Sequence, residues 1–234
     1  SVINKVTPQI IINCIGLIKQ SLKNDNPLKS IELNALFPHK LAQVCDSNNI
    51  KLIHISTDCI FLGNKGYYNE DDASDVVDLY GKTKSLGEIS YGNSLTIRTS
   101  MIGHELNSQR GLLEWFLSQE EGKVKGYTKA VFSGFTTLAL CGILKDIIDN
   151  YSDLRGIYHI SSEPIDKFNL VSLIKKVYKA NIDIEPYNGF VCDRSLDSTR
   201  FRNITNFKPS LWEDMIIDMY NDSAVYNTLR RIEK

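Results

Sequence analysis

An α/β fold built on a parallel sheet is predicted by three features of the 234-residue sequence. Four short apolar runs rich in β-branched residues stand at 10–14, 52–56, 95–98 and 156–160. Segments with helical spacing of apolar residues separate them, at 27–48, 79–89 and 136–148. Strands linked through helices pair in parallel and are covered on both faces, so each reads as an unbroken apolar run. Late in the chain the pattern changes to helices and short strands. That change predicts a small mixed α/β lobe, residues 105–134 and 163–234, beside a doubly wound sheet formed by residues 1–104 and 135–162.

The elements follow in order. Ile10, Ile11 and Ile12 make the first strand, and Asn13, Cys14, Ile15 and Gly16 leave it as a loop. Pro27 opens a helix reaching residue 48, with Ile31, Ala35, Leu41 and Val44 near helical spacing, and Pro38 predicts a kink or break inside it. Residues 52–56 are the second strand. Gly63-Asn64-Lys65-Gly66 is a turn, followed by an acidic surface loop over 67–78. Asp78 caps a helix over 79–89. Leu95-Thr96-Ile97-Arg98 is the third strand. A helix over 112–117 carries Trp115 and Phe116, both expected in the lobe core. Thr136 or Thr137 starts a helix to 148, and residues 156–160 are the fourth strand. Residues 167–179 read as helix, 182–184 as a short strand, 209–220 as helix, and 225–234 as a charged helical terminus.

Composition removes several function classes. The net charge of −1 offers nothing to nucleic acid or an anionic membrane. The longest apolar stretches are short and interrupted, which excludes a membrane-spanning helix, and no secretory leader pattern stands at the start. Cys14, Cys45, Cys59, Cys141 and Cys192 are scattered and odd in number. They predict reduced thiols in a cytoplasmic protein. The four histidines make no metal-ligand spacing.

Thr57, Tyr80 and Lys84 carry the chemistry. Thr57 follows the second strand directly. Tyr80 and Lys84 stand four apart at the start of a helix, on one face. An ammonium beside a phenol stabilises the phenolate, so Lys84 is expected to lower the Tyr80 pKa towards neutral. A strand-end hydroxyl can hold a substrate oxygen against that phenol. Together they can move a proton on or off a carbonyl or alcohol oxygen.

Four phrases in the right order extend this reading. Ile55-Ser56-Thr57-Asp58-Cys59-Ile60-Phe61, Tyr80-Gly81-Lys82-Thr83-Lys84-Ser85-Leu86-Gly87-Glu88, Leu95-Thr96-Ile97-Arg98-Thr99-Ser100 and Arg194-Ser195-Leu196-Asp197-Ser198-Thr199 resemble the extended short-chain dehydrogenase/reductases. Within that superfamily they are similar to the dTDP-4-dehydrorhamnose reductase-like family of sugar-nucleotide reductases, enzymes of polysaccharide biosynthesis. The resemblance covers nearly the whole chain. It implies the C-terminal part of a Rossmann-type doubly wound sheet with a substrate-binding lobe. No GxxGxxG occurs in the sequence, and the chain enters near what resembles the family's fourth strand. We therefore expect a piece of a longer protein with the cofactor half upstream, rather than a protein that has lost it.

The resemblance also implies roles. Tyr80 is the proton donor, supported by Lys84, which also binds the cofactor ribose. Thr57 orients the substrate carbonyl, with Ser56 as competitor. Asn13, Cys14, Ile15, Ser56, Thr99 and Ser100 face the cofactor, NADP(H) more than NAD(H). Asp58, Cys59, Met101, Arg194, Ser195 and Asp197 face a dTDP- or UDP-linked 4-keto sugar. An arginine suits a diphosphate because its fork donates two parallel hydrogen bonds. Asn34 is structural. Cys59 and Met101 stand where the family often has Tyr and Trp, which leaves the sugar open to a related 4-keto or N-acetylated one. A homodimer is compatible with this reading. A nucleotide-sugar epimerase of the same superfamily shares the same three residues. A non-catalytic relative that serves as regulatory subunit of methionine adenosyltransferase is the third reading.

Overall fold

The computed structural model describes residues 2–18 and 27–232. In chain order the elements are α1 (Val2–Val6), β1 (Ile10–Asn13), α2 (Pro27–Ser30), a π-helical turn (Ile31–Leu36), α3 (Phe37–Ser47), β2 (Lys51–Ile55), a 3-10 turn (Asp58–Ile60) and α4 (Leu79–Leu86). Then come β3 (Ser94–Arg98), β4 (Met101–Ile102), α5 (Leu112–Leu117), β5 (Lys123–Phe132), β6 (Phe135–Thr136), α6 (Thr137–Asn150) and β7 (Gly156–His159). The chain closes with β8 (Ile165–Asp166), α7 (Lys167–Tyr178), β9 (Asp183–Asp193), α8 (Thr199–Thr205) and α9 (Trp212–Ile232).

The main sheet has the order β1-β2-β3-β7, every pair parallel. It is doubly wound. Leu52 packs with Ala42, Cys45 and Ile89 on one face. Ile53, Ile55, Leu95 and Ile97 pack with Leu140, Ile143, Leu144 and Ile147 of α6 on the other. All five residues of β2 and of β3 are buried, as expected of central strands covered on both faces. β1 lies at a sheet edge, where Ile12 is exposed. A second sheet has the order β8-β5-β9, with β5 antiparallel to β8 and parallel to β9.

Several expectations need correction. Pro38 stands at the start of α3, behind the π turn, where the Phe37 N–H donates to the Glu32 carbonyl five residues back. A proline lacks the N–H that would satisfy the carbonyl of Asn34, and the wider turn ahead of it absorbs that mismatch without ending the helix. The short strand expected at 182–184 is the start of the eleven-residue β9. Pro186, Asn188 and Gly189 disguise it, and a bulge between Tyr127 and Lys129 of β5 accommodates them. The two helices expected after 209 are one, α9; residues 233 and 234 of that expectation lie outside the described residues. Phe116 is in the core, whereas Trp115 is 39% exposed.

Candidate functional site

Thr57 leaves the C-terminal end of β2 in extended conformation and starts the 3-10 turn. Its Oγ1 accepts from the Cys59 N–H at 3.1 Å and donates to Asp58 Oδ1 at 3.3 Å. Asp78 caps α4 by accepting from the Gly81 N–H at 2.9 Å, which fixes the helix that presents Tyr80 and Lys84. A Cβ on Gly81 would lie 2.5 Å from the Cys59 carbonyl oxygen, so the glycine brings α4 onto the turn. Ser56 points elsewhere, its Oγ donating to Glu88 Oε1 at 2.7 Å.

The electrostatics differ from the sequence expectation. Burial raises the Tyr80 pKa above its ordinary value of 10, the neighbouring Cys59 and Asp58 add to this, and Thr57 opposes it. The Lys84 Nζ donates to the Ile55 carbonyl at 2.8 Å, and burial brings its own pKa down to about 8. The phenol is thus held protonated, with its pKa shifted in the direction opposite to the sequence expectation. The i, i+4 spacing is a local feature of the sequence, whereas the desolvation depends on the surrounding fold. Burial pushes the Cys59 thiol up to about 12, so it is a poor nucleophile.

The loop after β1 approaches the same place. Asn13 is buried; its Oδ1 accepts from the Ile15 N–H at 3.1 Å, and its Nδ2 donates to His54 Nδ1 at 3.0 Å. Cys14 and Ile15 are exposed. Asn34 grips this loop, accepting from Leu17 N–H at 2.8 Å and donating to the Leu17 carbonyl at 3.1 Å, and it reaches Thr83 on α4. A Cβ on Gly16 would lie 3.1 Å from Asn34 Oδ1 and 3.9 Å from Lys84 Nζ. The loop backbone therefore runs close past the Lys84 ammonium. A strand-end loop beside an ammonium fits the ribose end of a dinucleotide, which binds outside the C-terminal ends of parallel strands.

Thr99 is buried and its carbonyl accepts from the Asp58 N–H at 3.3 Å. The Ser100 carbonyl accepts from Phe135 N–H, and Met101 is exposed at the start of β4. Arg194 reaches the turn: its Nε donates to the Phe61 carbonyl at 2.7 Å, and its Nη1 lies 3.5 Å from Cys59 Sγ. Ser195 and Asp197 do not join it. The Ser195 Oγ accepts from Tyr67 N–H at 2.8 Å, and Asp197 Oδ1 accepts from Thr199 N–H at 2.8 Å. They tie the 67–78 loop to the segment before α8, alongside the Tyr68–Leu196 bridge.

Sequence reasoning missed two groups. Glu88, Arg98 and His159 form a buried polar network behind Ser56. Lys167, the first residue of α7, stands near Asp58, Cys59 and Cys192. The motif phrases contain Glu88 and Arg98, so pairing their opposite charges was the available signal. Nothing local marks Lys167. Among the described residues no cluster of His, Cys, Asp and Glu could hold a metal ion, and no helix is long and apolar enough to cross a membrane.

The family described as RmlD substrate binding domain matches residues 1–224. A dTDP-4-dehydrorhamnose reductase of Mycolicibacterium smegmatis is 36% identical over 81 residues, covering 34% of this chain and 25% of that protein. Methionine adenosyltransferase 2 subunit beta of Xenopus laevis is 32% identical over 88 residues, covering 38% of this chain and 26% of that protein. The matched stretches thus cover about a quarter of the length of each of these two relatives. The crystal structure of dTDP-4-dehydrorhamnose reductase from Bacillus anthracis, in complex with NADP, superposes with a TM-score of 0.80 at 19% identity. That match covers 94% of this chain and 83% of the other.

Proposed function

Since this chain belongs to the RmlD substrate binding domain family, we propose that it serves the reduction of a nucleotide-linked 4-keto sugar, dTDP- or UDP-activated. The observation that carries the reading is that Thr57, at the end of β2, starts the 3-10 turn onto which Gly81 brings the first turn of α4 with Tyr80. The Thr57 hydroxyl turns to donate to the substrate carbonyl oxygen. Tyr80, kept protonated by burial, gives its proton to that oxygen as negative charge develops there. Lys84, beside the 14–16 loop, takes the ribose hydroxyls of the cofactor. NADPH, when bound, supplies the hydride. The residues 105–134 and 163–234 form the substrate side, with Arg194 holding the diphosphate. The five free cysteines fit a reducing compartment, and the cytoplasm is the proposed location.

The test uses purified protein with NADPH and dTDP- or UDP-linked 4-keto sugars. Saturable nicotinamide fluorescence and loss of NADPH absorbance on adding the sugar are expected. Tyr80→Phe should lower kcat by about 10²- to 10⁴-fold while leaving NADPH affinity unchanged. Equal turnover by Tyr80→Phe sinks the assignment. The Xenopus relative motivates a second reading, a subunit of methionine adenosyltransferase. Under that reading the protein binds the purified synthetase, Tyr80→Phe binds it equally well, and no keto sugar is turned over.

A further inference from the structure

Lys167 begins α7, the helix that packs on β5. Its Nζ lies 3.9 Å from the centroid of the Phe132 ring, in cation–π contact. The residue is half-buried. The Asp58 carboxylate, on the turn that follows Thr57, acts on it electrostatically, and the Cys59 and Cys192 thiols lie on the same side. Arg194 reaches that turn as well, with Nη1 at Cys59 Sγ. Arg194, from the segment after β9, thus sits on the turn next to Tyr80, and Lys167, from α7, lies within electrostatic range of it. Among the described residues Lys167 forms no ion pair within 4.0 Å. Asp58 Oδ1 accepts instead from the Thr57 hydroxyl. A desolvated ammonium without an ion-pair partner at contact distance is costly, and burial brings the Lys167 pKa down to about 8. The balance of charge at this turn is short of an anion.

We infer that Lys167 is a substrate-binding residue that, together with Arg194, receives an anionic oxygen group of the nucleotide sugar on the Cys59 side of the site. This rests on the sugar-nucleotide reading above. Two parts of such a substrate offer that chemistry: the diphosphate, and a carboxylate carried on the sugar ring. An ammonium serves either as a point charge, and Arg194 adds directed donors beside it.

The experiment is a set of calorimetric titrations of UDP, dTDP, UDP-glucose and UDP-glucuronate into the wild type, Lys167→Met and Lys167→Arg. Methionine keeps the packing on Phe132 and removes the charge; arginine restores a cation. Thermal midpoints of the three proteins check that all are folded. Lys167→Met should weaken binding by about 10- to 100-fold, the loss expected for a charge-assisted hydrogen bond. Lys167→Arg should recover most of it. An equal loss for UDP and UDP-glucose assigns the partner as the diphosphate. A loss confined to UDP-glucuronate assigns it as a sugar carboxylate. If the wild type binds these ligands and Lys167→Met binds all of them as tightly, Lys167 has no such role and the sugar-nucleotide reading stands. If the wild type binds none of them, that reading and this inference fall together.

Discussion

Arg98 and Glu88 form a two-point ion pair, with Nε donating to Oε1 at 2.9 Å and Nη2 to Oε2 at 2.8 Å, and both side chains are nearly fully buried. Ser56 donates to the same carboxylate, and Arg98 Nη1 donates to His159 Nε2 at 3.1 Å. The pair thus joins the end of β2, the residues after α4, the end of β3 and the end of β7. Its place directly behind Thr57 makes it the frame on which the turn rests.

Breaking this pair from one side should be costly. Removing one member of a buried ion pair leaves the other charge desolvated, at about 3–5 kcal/mol. Arg98→Met is expected to lose that much in urea unfolding. The double variant Arg98→Met with Glu88→Leu should recover part of it, because no orphan charge remains. A single variant as stable as the wild type would show that the network carries no structural weight.

His159 gives the network a pH signature. Its Nδ1 donates to the Tyr68 carbonyl at 2.8 Å. Burial, and then the Arg98 charge, lower its pKa from 6.5 to about 4. The unfolded chain takes up a proton below 6.5 while the folded chain does not. Stability from this residue is therefore present above 6.5 and lost as pH falls from 6.5 to about 4, at up to about 1.4 kcal/mol per pH unit. His54 is shifted in the same direction, to about 3, by burial first and then by the Lys84 charge. His159→Gln should therefore reduce the acid slope of the unfolding free energy without abolishing it. An unchanged slope rules His159 out as its source.

The main sheet and the helix bearing Tyr80 were legible because their signals are local. β2 and β3 are buried on both faces, so their apolar runs are unbroken, and Asp78 marks the start of α4 by its capping chemistry. β5 was hidden by its exposed Lys123, Lys125 and Lys129, and β9 by its turn residues. At the site, the spacing of Tyr80 and Lys84 could be read, but the direction of the Tyr80 shift could not. That direction comes from burial under residues distant in sequence. Lys167 was invisible for the same reason, since only the packing of α7 on β5 brings it near Asp58 and Cys59.

Gly87 and Gly142 should respond oppositely to alanine. A Cβ on Gly87 would lie 1.9 Å from the Asn34 carbonyl oxygen, backbone against backbone, where α4 meets the π turn. Gly87→Ala must push these elements apart, at about 1–3 kcal/mol or more, and should also lower turnover by displacing Lys84. Gly142 lies in α6 with nothing within 4 Å of the added atom. Gly142→Ala should stabilise by about 0.5–1 kcal/mol through helix propensity. Chemical denaturation of both variants tests the contrast, and a neutral Gly87→Ala would contradict the close approach.

Thr57 and Ser56 are adjacent hydroxyls with different tasks. Thr57 receives the Cys59 N–H and donates to Asp58 on the turn that meets α4, whereas Ser56 is committed to Glu88. Thr57→Ala should remove the donor aimed at the substrate oxygen. A loss of about 10²- to 10³-fold in kcat is expected, in line with loss of one donor to a developing oxyanion. Ser56→Ala should leave kcat within about tenfold and cost about 1.5–3 kcal/mol of stability, because its hydrogen bond runs to a charged acceptor. Steady-state kinetics beside urea unfolding separate the two effects. If Ser56→Ala abolishes turnover while Thr57→Ala only destabilises, the carbonyl-orienting role passes to Ser56 and the geometry around Tyr80 must rearrange when substrate binds.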